Sequence, residues 1–347
     1  MKKLIKPLEK LSDFFDVYLT EIKGLSQNTI TSYKYAFQLL FEYVYENQGT
    51  TPDKVTFDTL SHGTITSFLY WLETNRNCSI QTRNQRLAAI VSFAKFIVKD
   101  NAMEATRFCS EVLNIPKKKM PKNKTIKYFT KSEITILLSL PNTDRKLGHR
   151  DAVLMSVLYA SGARAQEICD LKISDVNFGL QQTTLRLVGK GNKGRVVAIP
   201  EKCAKLLKHY INSSNENKSR ELHVFSSQTH EHMTISCVEG IVAKYLKIAK
   251  FENPNMFIHG NYSPHTFRHS IAVHMLECGT PLPVIKAFLG HSSIETTLRY
   301  ATVTPELANK YLLLRNTFPQ TETPPTDDDF CVKKTLPFMN TPKSSIF

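Results

Sequence analysis

A chain of 347 residues, 41% of them hydrophobic and 22% charged, is long enough for two globular domains with ordinary cores. Lysine and arginine total 45 against 31 aspartates and glutamates, and this formal net charge of +14 favours a polyanionic partner, with nucleic acid ahead of an acidic membrane. The seven cysteines form no CxxC pair, no apolar signal segment follows Met1, and the longest uncharged apolar stretch, residues 152–163, is too short to cross a bilayer. We therefore expect a cytoplasmic protein without a membrane partner.

Helical periodicity dominates the first predicted domain, residues 1–112. Apolar side chains recur at the three- and four-residue spacing of one helix face, and no strand pattern alternates with them. Gly24 ends the first helix, Ser26 is suited to cap the second, and Ser79 or Thr82 begins the fourth. The pattern predicts a small helical bundle. Its helices are expected at residues 11–22, 27–44, 65–72 and 79–97.

Residues 113–127 are predicted to form a basic linker. Pro116 and Pro121 interrupt regular structure, and closely spaced lysines repel one another, so an extended conformation is favoured. The linker is either a solvated hinge or a strap that crosses DNA phosphates, since such contacts need charge and no particular fold. The residues predicted to bind DNA, here and elsewhere in the chain, are Lys117, Lys118, Lys119, Lys122, Lys193 and Arg83.

The second predicted domain, residues 128–318, combines helices with one β-hairpin. Thr130 is suited to cap a helix, and a longer apolar helix ends near a Ser-Gly turn at Gly162. Residues 183–188 and 195–199 are rich in β-branched side chains, and the Gly-Lys-Gly-Asn-Lys-Gly segment between them has turn composition, which predicts a hairpin with lysines at its tip. The rest reads as helical, so the fold class is mainly α with a small β-sheet.

The C-terminal end carries two further expectations. Thr304 and Pro305 are suited to begin a helix whose apolar residues extend to Leu314, and this helix packs either on its own domain or on a neighbouring copy of the chain. Residues 319–347 are rich in proline, threonine and aspartate and are expected to form a flexible tail.

The His265-x-x-Arg268-His269 segment could first be interpreted as a metal site. Two histidines four residues apart share a helix face, as in zinc helices. However, Thr266 stands where a zinc protease has its glutamate, and a guanidinium between the histidines would repel a cation. No carboxylate is close by in the sequence to complete a site. We therefore expect no metal.

The same segment fits chemistry at a DNA phosphodiester. The transition state of phosphoryl transfer spreads negative charge over the nonbridging oxygens, and arginine donates to such oxygens bidentately without losing its proton. Arg164 begins a helix after the Ser-Gly turn, where free backbone N–H groups also favour anions, and Arg268 shares a helix face with His265. These residues predict a clamp for a phosphate.

A covalent route also needs a nucleophile and proton donors. Tyr300 is available, but a phenol with a pKa of roughly 10 needs a cationic pocket or a nearby base to react. His265 and His291 can donate hydrogen bonds or transfer protons. Lys190 at the hairpin tip is the candidate acid for the leaving 5′-oxygen, and Lys193 on the same turn competes for that role.

Together these motifs resemble the tyrosine recombinase (phage integrase) family, especially its Xer-like and transposon-encoded members. The motifs are Ala-Arg164-x-x-Glu167, Gly-Lys190-Gly-Asn-Lys193, His265-x-x-Arg268-His269, Leu-Gly-His291 and Arg-Tyr300. The first motif reads Gly-Ala-Arg where Gly-Leu-Arg or Gly-Met-Arg is usual, a change that alters packing more than chemistry. The helical residues 1–112 resemble the family's SAM-like core-binding domain, and residues 128–318 resemble its mixed α/β catalytic domain.

The resemblance implies a residue set and a reaction. The implied catalytic set is Arg164, Lys190, His265, Arg268, His291 and the nucleophile Tyr300, with Glu167 and His269 supporting it. Tyr300 would form a 3′-phosphotyrosyl link and free a 5′-hydroxyl, without a metal or any other cofactor. The implied partner is double-stranded DNA with paired inverted half-sites, bound by a homo-tetramer on two duplexes, with accessory proteins an open possibility.

Other functions are compatible with parts of the pattern. A type IB topoisomerase-like enzyme uses similar chemistry, but the separate helical domain favours a clamp on a specific site. A DNA-binding accessory protein with a silent active site is the rival of another class, and the presence of all six candidate residues opposes it. Integration, excision or transposition of a mobile element is the expected task, and Xer-like resolution of chromosome or plasmid dimers is the alternative.

Overall fold

The computed structural model describes residues 6–98, 103–120, 126–189, 193–214, 221–227, 230–258 and 260–301. The chain divides into two compact units, Met1–Lys124 and Thr125–Phe347. The predictions made for Lys122, for Lys190 and for residues 302–347 lie outside the described residues. Within the described ranges, no helix is both long enough and apolar enough to cross a bilayer.

The N-terminal unit is a helical bundle around an aromatic core. Phe14, Phe37 and Phe93 meet edge to face, with ring centroids 5.2–6.3 Å apart. The four predicted helices are present, and α5 is an addition that the sequence analysis did not assign, although Ala105 and Phe108 recur there at helical spacing. The helices are α1 Pro7–Ser12, which continues as a π-helical stretch Asp13–Ile22, α2 Gln27–Gln48, α3 His62–Thr74, α4 Ile80–Ile97 and α5 Met103–Leu113.

The ends of these helices follow the predicted signals. Gly24 has a φ of +57°, which lets the chain turn after the π-helical stretch. The Ser79 hydroxyl accepts a hydrogen bond from the Thr82 N–H at 3.2 Å, so Ser79 and not Thr82 is the cap of α4. Ser26 occupies the N-cap position of α2, but its hydroxyl contacts the Thr29 hydroxyl and not a backbone N–H.

Arg83, which was predicted to bind DNA, makes its described contacts within the N-terminal unit. Its side chain is buried, and Nη1 donates to the Pro116 carbonyl at 3.0 Å and to Asn84 at 3.1 Å. Asn84 in turn hydrogen-bonds both backbone groups of Lys118, and Lys118 Nζ lies 2.6 Å from Glu73. Arg83 therefore attaches the start of the linker to α4 through Nη1.

The C-terminal unit packs its helices on a small antiparallel sheet. The capping box of Thr130 and Glu133 begins α6 as expected. The sheet comprises β1 Val176–Phe178, β2 Thr183–Val188 and β3 Gly194–Ile199 in the order β1-β2-β3, with Thr183 opposite Ile199 and Val188 opposite Gly194. The helices are α6 Lys131–Ser139, α7 Lys146–Ser161, α8 Ala165–Cys169, α9 Glu201–Ser214, α10 Ile235–Glu252, α11 Pro264–Glu277, α12 Leu282–Leu289 and α13 Glu295–Ala301.

The predicted hairpin is β2 and β3, whose Leu185 and Val197 are paired and point into the core. Strand β1 was not predicted, because three residues are too few to show alternation. Helix α7 supplies a nearly continuous buried stretch, residues 152–158, at the centre of this unit. The observed fold is mainly α with a small β-sheet, as expected.

Candidate active site

Arg164 stands at the turn between α7 and α8. Gly162 makes this turn with a φ of +58°, and a Cβ on it would come within 2.9 Å of Leu289 at the end of α12. Arg164 Nη1 donates to Glu167 Oε1 at 2.7 Å, and the backbone N–H of Arg164 donates to Glu167 Oε2 at 2.9 Å. The N–H that the sequence analysis offered to an anion is therefore taken by a carboxylate. The Arg164 side chain is 39% exposed and remains accessible from a cleft.

The buried Glu167 carboxylate is shared by two arginines. Arg195, the second residue of β3, donates from Nη1 and Nη2 to the two carboxylate oxygens, each at 2.9 Å. Burial raises the pKa of Glu167, but its hydrogen bonds and charge interactions with Arg195 and Arg164 outweigh burial, and the net shift is downward. Glu167 is therefore a carboxylate at neutral pH. Arg195 was not among the predicted site residues, because its partner Glu167 is 28 residues away in the sequence.

Arg268 is fully buried at the centre of the site. Nη1 donates to the Gly162 carbonyl and Nη2 to the Leu289 carbonyl, both at 2.6 Å, while Nε has no partner among the described residues. Burial, with the charges of Arg164 and Arg195, lowers the pKa of Arg268 to about 9, so the side chain stays cationic at neutral pH. Arg268 thus joins the turn before Arg164 to the turn before His291.

Three predicted site residues lie on one face of α11. His265 and Arg268 are three residues apart, and the exposed His265 ring meets the His269 ring edge to face, with centroids 4.6 Å apart. His269 Nδ1 lies 2.9 Å from the hydroxyl of Tyr300. Burial, followed by neighbouring charges, lowers the pKa of His269 to about 3, so its imidazole is neutral. His269, which was predicted only to support the site, is in direct contact with the predicted nucleophile.

Tyr300 is held inside the protein by α13. It is 2% exposed and packs in a cluster of buried apolar residues from α11 and α12. Burial raises the pKa of Tyr300, and the charges of Arg268, Arg299 and Arg164 offset only part of this rise. The phenol is therefore protonated in this conformation.

His291 follows the end of α12. Gly290, with a φ of +66°, turns the chain there, and His291 Nδ1 lies 2.9 Å from the Thr297 hydroxyl of α13. The His291 and Tyr300 rings are nearly parallel, with centroids 6.4 Å apart. Burial, and then the charges of Arg268 and Arg164, lower the pKa of His291 to about 4. Thr297 and Tyr300, one helical turn apart, thus both face site histidines.

A cationic cleft of about 750 Å³ opens beside these residues. Lys193 is exposed at its edge, whereas Arg268 and Tyr300 do not line it. No acidic side chain is among the lining residues, so the described wall of the cleft suits an anion. The lining comprises Arg164, Gly189, Lys193, Gly194, Arg195, Gly290, His291, Ser292 and Thr296. In the part of the chain that the structure describes, no three His, Cys, Asp or Glu side chains are grouped to hold a metal ion.

Similarity to known proteins extends over both units. Residues 127–306 match the model described as the phage integrase family, and residues 13–101 match the phage integrase N-terminal SAM-like domain. The chain is 30% identical over 313 residues to the integrase/recombinase y4rC of Sinorhizobium fredii, covering 89% of this chain and 91% of that protein. It is 30% identical over 306 residues to the tyrosine recombinase XerC of Chlamydia muridarum, covering 84% and 92%. The solved XerH site-specific recombinase, bound to a palindromic difH substrate, has a TM-score of 0.64 at 20% identity, covering 83% of this chain and 80% of that one.

Proposed function

This chain belongs to the phage integrase family of tyrosine recombinases, enzymes of site-specific DNA recombination, and we propose that Tyr300 is the nucleophile with which it cuts DNA. One observation carries this assignment. The Tyr300 hydroxyl contacts His269 on the α11 face that also bears Arg268, next to the site of Arg164 and His291. The charges of Arg268, Arg299 and Arg164 favour the phenolate, the reactive form of a tyrosine oxygen, whereas burial opposes it in this conformation.

The proposed reaction conserves the bond energy of the DNA. The Tyr300 oxygen bonds to the phosphorus, the bond to the 5′-oxygen breaks, and that oxygen leaves as a hydroxyl after taking up a proton. His269, whose Nδ1 lies 2.9 Å from the Tyr300 hydroxyl, orients it and takes up the phenolic proton in the same step. A 5′-hydroxyl from a partner strand then reverses the sequence, so that no net hydrolysis occurs.

Arg164 and His291 are proposed to contact the nonbridging oxygens from the cleft, which both residues line. Arg268 would add positive charge from its buried position and hold the two turns together. His265 completes the hydrogen-bonding set, and Lys190 is proposed as the acid for the leaving oxygen, with Lys193 as the competitor. Preorganised donors of this kind stabilise charge that develops in the transition state.

The buried position of Tyr300 supports activation by assembly. With 2% of the residue exposed, the hydroxyl is out of reach of a phosphate until α13 shifts. We propose that pairing of protomers on inverted half-sites provides this shift, within a homo-tetramer on two DNA duplexes.

Mobility of an integrative or transposable element is the proposed biological task, and resolution of chromosome or plasmid dimers is the alternative. The similarity to y4rC favours the first and the similarity to XerC favours the second. Sequencing the DNA that the full chain joins in living cells would distinguish them. Junctions at element ends support mobility, and exchange confined to one chromosomal or plasmid site supports resolution.

Covalent capture tests the function. The full chain is incubated with a DNA site that it has selected from a random library, nicked at successive positions so that the cleaved fragment diffuses away. A denaturant-resistant protein–DNA adduct is expected for the wild type and not for Tyr300→Phe, while both bind the site. Tyr159→Phe is the matched control, because Tyr159 also contacts the Nδ1 of an α11 histidine, at 2.8 Å from His274. An adduct from Tyr300→Phe would show that the nucleophile is another residue, and no adduct from the wild type would favour the silent DNA-binding protein.

A further inference from the structure

Arg195 links three elements of the site through a single guanidinium. We infer that Arg195 is a positioning residue for strand cleavage, which holds Glu167 against the C-terminal turn of α12 and thereby fixes Arg164 and His291 along the cleft. This inference rests on the proposed function, and it assigns Arg195 no contact with the phosphate.

The hydrogen bonds of Arg195 point into the protein. Nη1 and Nη2 engage the two oxygens of Glu167 as a fork, and Nε donates to the Phe288 carbonyl at 2.9 Å. The side chain is only 11% exposed. All three directions of the planar group are therefore used to join β3, α8 and α12. An ammonium group cannot reproduce this arrangement, because it is a point charge without a fork.

The first consequence concerns Arg164. Glu167 accepts two hydrogen bonds from Arg195 and two from Arg164, one through the side chain and one through the backbone. With two guanidinium groups and one carboxylate, the cluster carries a net charge of +1 that is available to the cleft. Without Arg195, the carboxylate would be balanced by Arg164 alone. That pairing would neutralise the charge and draw the guanidinium away from a phosphate.

The second consequence concerns His291. The carbonyls of Phe288 and Leu289, consecutive residues at the end of α12, accept from Arg195 and Arg268 respectively. A Cβ on Gly290 would lie 2.9 Å from Cδ of Arg195, so the turn packs directly on the Arg195 stem. The arginine therefore determines where His291 leaves the helix.

The test separates charge from geometry. Arg195→Lys keeps the charge and loses the fork, whereas Arg195→Gln loses both. Arg186→Gln is the matched control, since Arg186 lies on neighbouring strand β2 and also donates to a carboxylate, Asp175 at 2.9 Å, but its side chain is 66% exposed. For each full-length variant, the dissociation constant for one half-site, the unfolding transition and the rate of adduct formation at saturating protein are measured.

We expect Arg195→Lys to form adduct about 10²-fold more slowly than the wild type at saturating protein, the order of loss seen when reacting groups are misplaced by about 1 Å. Its half-site affinity should stay within about threefold, Arg195→Gln should be at least as slow, and Arg186→Gln should match the wild type. A wild-type rate for Arg195→Lys overturns the inference, as does a defect confined to affinity, which would make Arg195 a phosphate contact. In both cases the wild-type protein would still form the adduct, so the proposed function would stand and only the role of Arg195 would be rejected.

A second variant covers the case in which Arg195→Lys does not fold. Gly290→Ala keeps every charged group and pushes a methyl group against the Arg195 stem. It should also slow adduct formation at saturating protein while half-site binding persists. A folded Gly290→Ala protein that forms adduct at the wild-type rate would refute the positioning role.

Discussion

Arg164 and Arg268 are assigned to the same transition state, yet the structure gives them different surroundings. Arg164 is partly exposed and bonds one carboxylate, whereas Arg268 is buried and bonds two backbone carbonyls. Arg164→Ala should lower the cleavage rate by ~10²–10³ with little change in stability. Arg268→Ala should lower it comparably and also reduce the free energy of unfolding, because each buried acceptor left unpaired costs about 1–3 kcal/mol. Adduct formation and denaturant unfolding of both variants check this. Equal stability of the two variants would contradict the view that Arg268 holds the two turns together.

The site histidines predict how stability depends on pH. Burial, followed by neighbouring charges, lowers the pKa of His269 to about 3 and that of His291 to about 4. In the unfolded chain both are close to 6.5, so between these values the unfolded state binds protons that the folded state does not. The free energy of unfolding should therefore decrease as the pH falls from about 7 towards 4. Denaturant unfolding at pH 7.5 and 5 measures this decrease in the free energy of unfolding. The decrease should be smaller for His269→Gln and His291→Gln than for the wild type, and a wild-type decrease in both variants would contradict the prediction.

How far the site was predictable differs from residue to residue. Tyr300 and Arg268 carry motif signals, because they lie in the sequence motifs on which the family resemblance rests. Arg195 and Thr297 carry none, since their roles arise only when β3 and α13 are brought against Glu167 and His291. The burial of Tyr300 was likewise not predictable, because it depends on how α13 packs and not on local spacing.

At the scale of elements, prediction succeeded where a local signal was strong. The β2–β3 hairpin was recognised because two β-branched runs flank a glycine-rich turn. The π-helical stretch was not distinguished, because the apolar spacing of residues 11–22 fits an ordinary helix equally well.

The linker differs in part from the extended segment that the sequence predicts. Its start is not free, because Arg83 and Asn84 hold Pro116 and Lys118 on α4.

The hypothesis that the linker is a strap across DNA phosphates is therefore best tested at two of its exposed lysines. Lys117 and Lys119 are exposed, whereas the Lys118 amine is paired with Glu73. Lys117→Gln with Lys119→Gln should weaken binding to specific and random DNA alike and reduce the salt slope by about 2, since each phosphate contact contributes ~0.9. Lys205→Gln, an exposed lysine of the other unit, should change neither. Affinities measured across a salt series check this, and a loss restricted to the specific site would exclude the strap.

At the scale of the whole molecule, the question is what releases Tyr300. The hydroxyl is buried at the end of α13, and the sequence predicts a further apolar helix from Thr304 to Leu314 immediately beyond it. If a neighbouring protomer binds that helix, the movement would also shift α13. Exposure of the proposed nucleophile would then be coupled to assembly. Head-to-tail capture around a ring closes a cyclic tetramer without leaving an unpaired surface.

Removing residues 305–347 should therefore leave binding to one half-site intact while abolishing cooperative binding to two. Removing only residues 319–347 is the matched control, because it retains the predicted helix and should preserve cooperativity. Gel-shift titrations on one-site and two-site DNA measure both quantities for the two truncations. If the shorter protein still fills both half-sites with wild-type cooperativity, the helix belongs to its own domain, and the contact that pairs protomers must lie elsewhere, with the N-terminal bundle as the next surface to test.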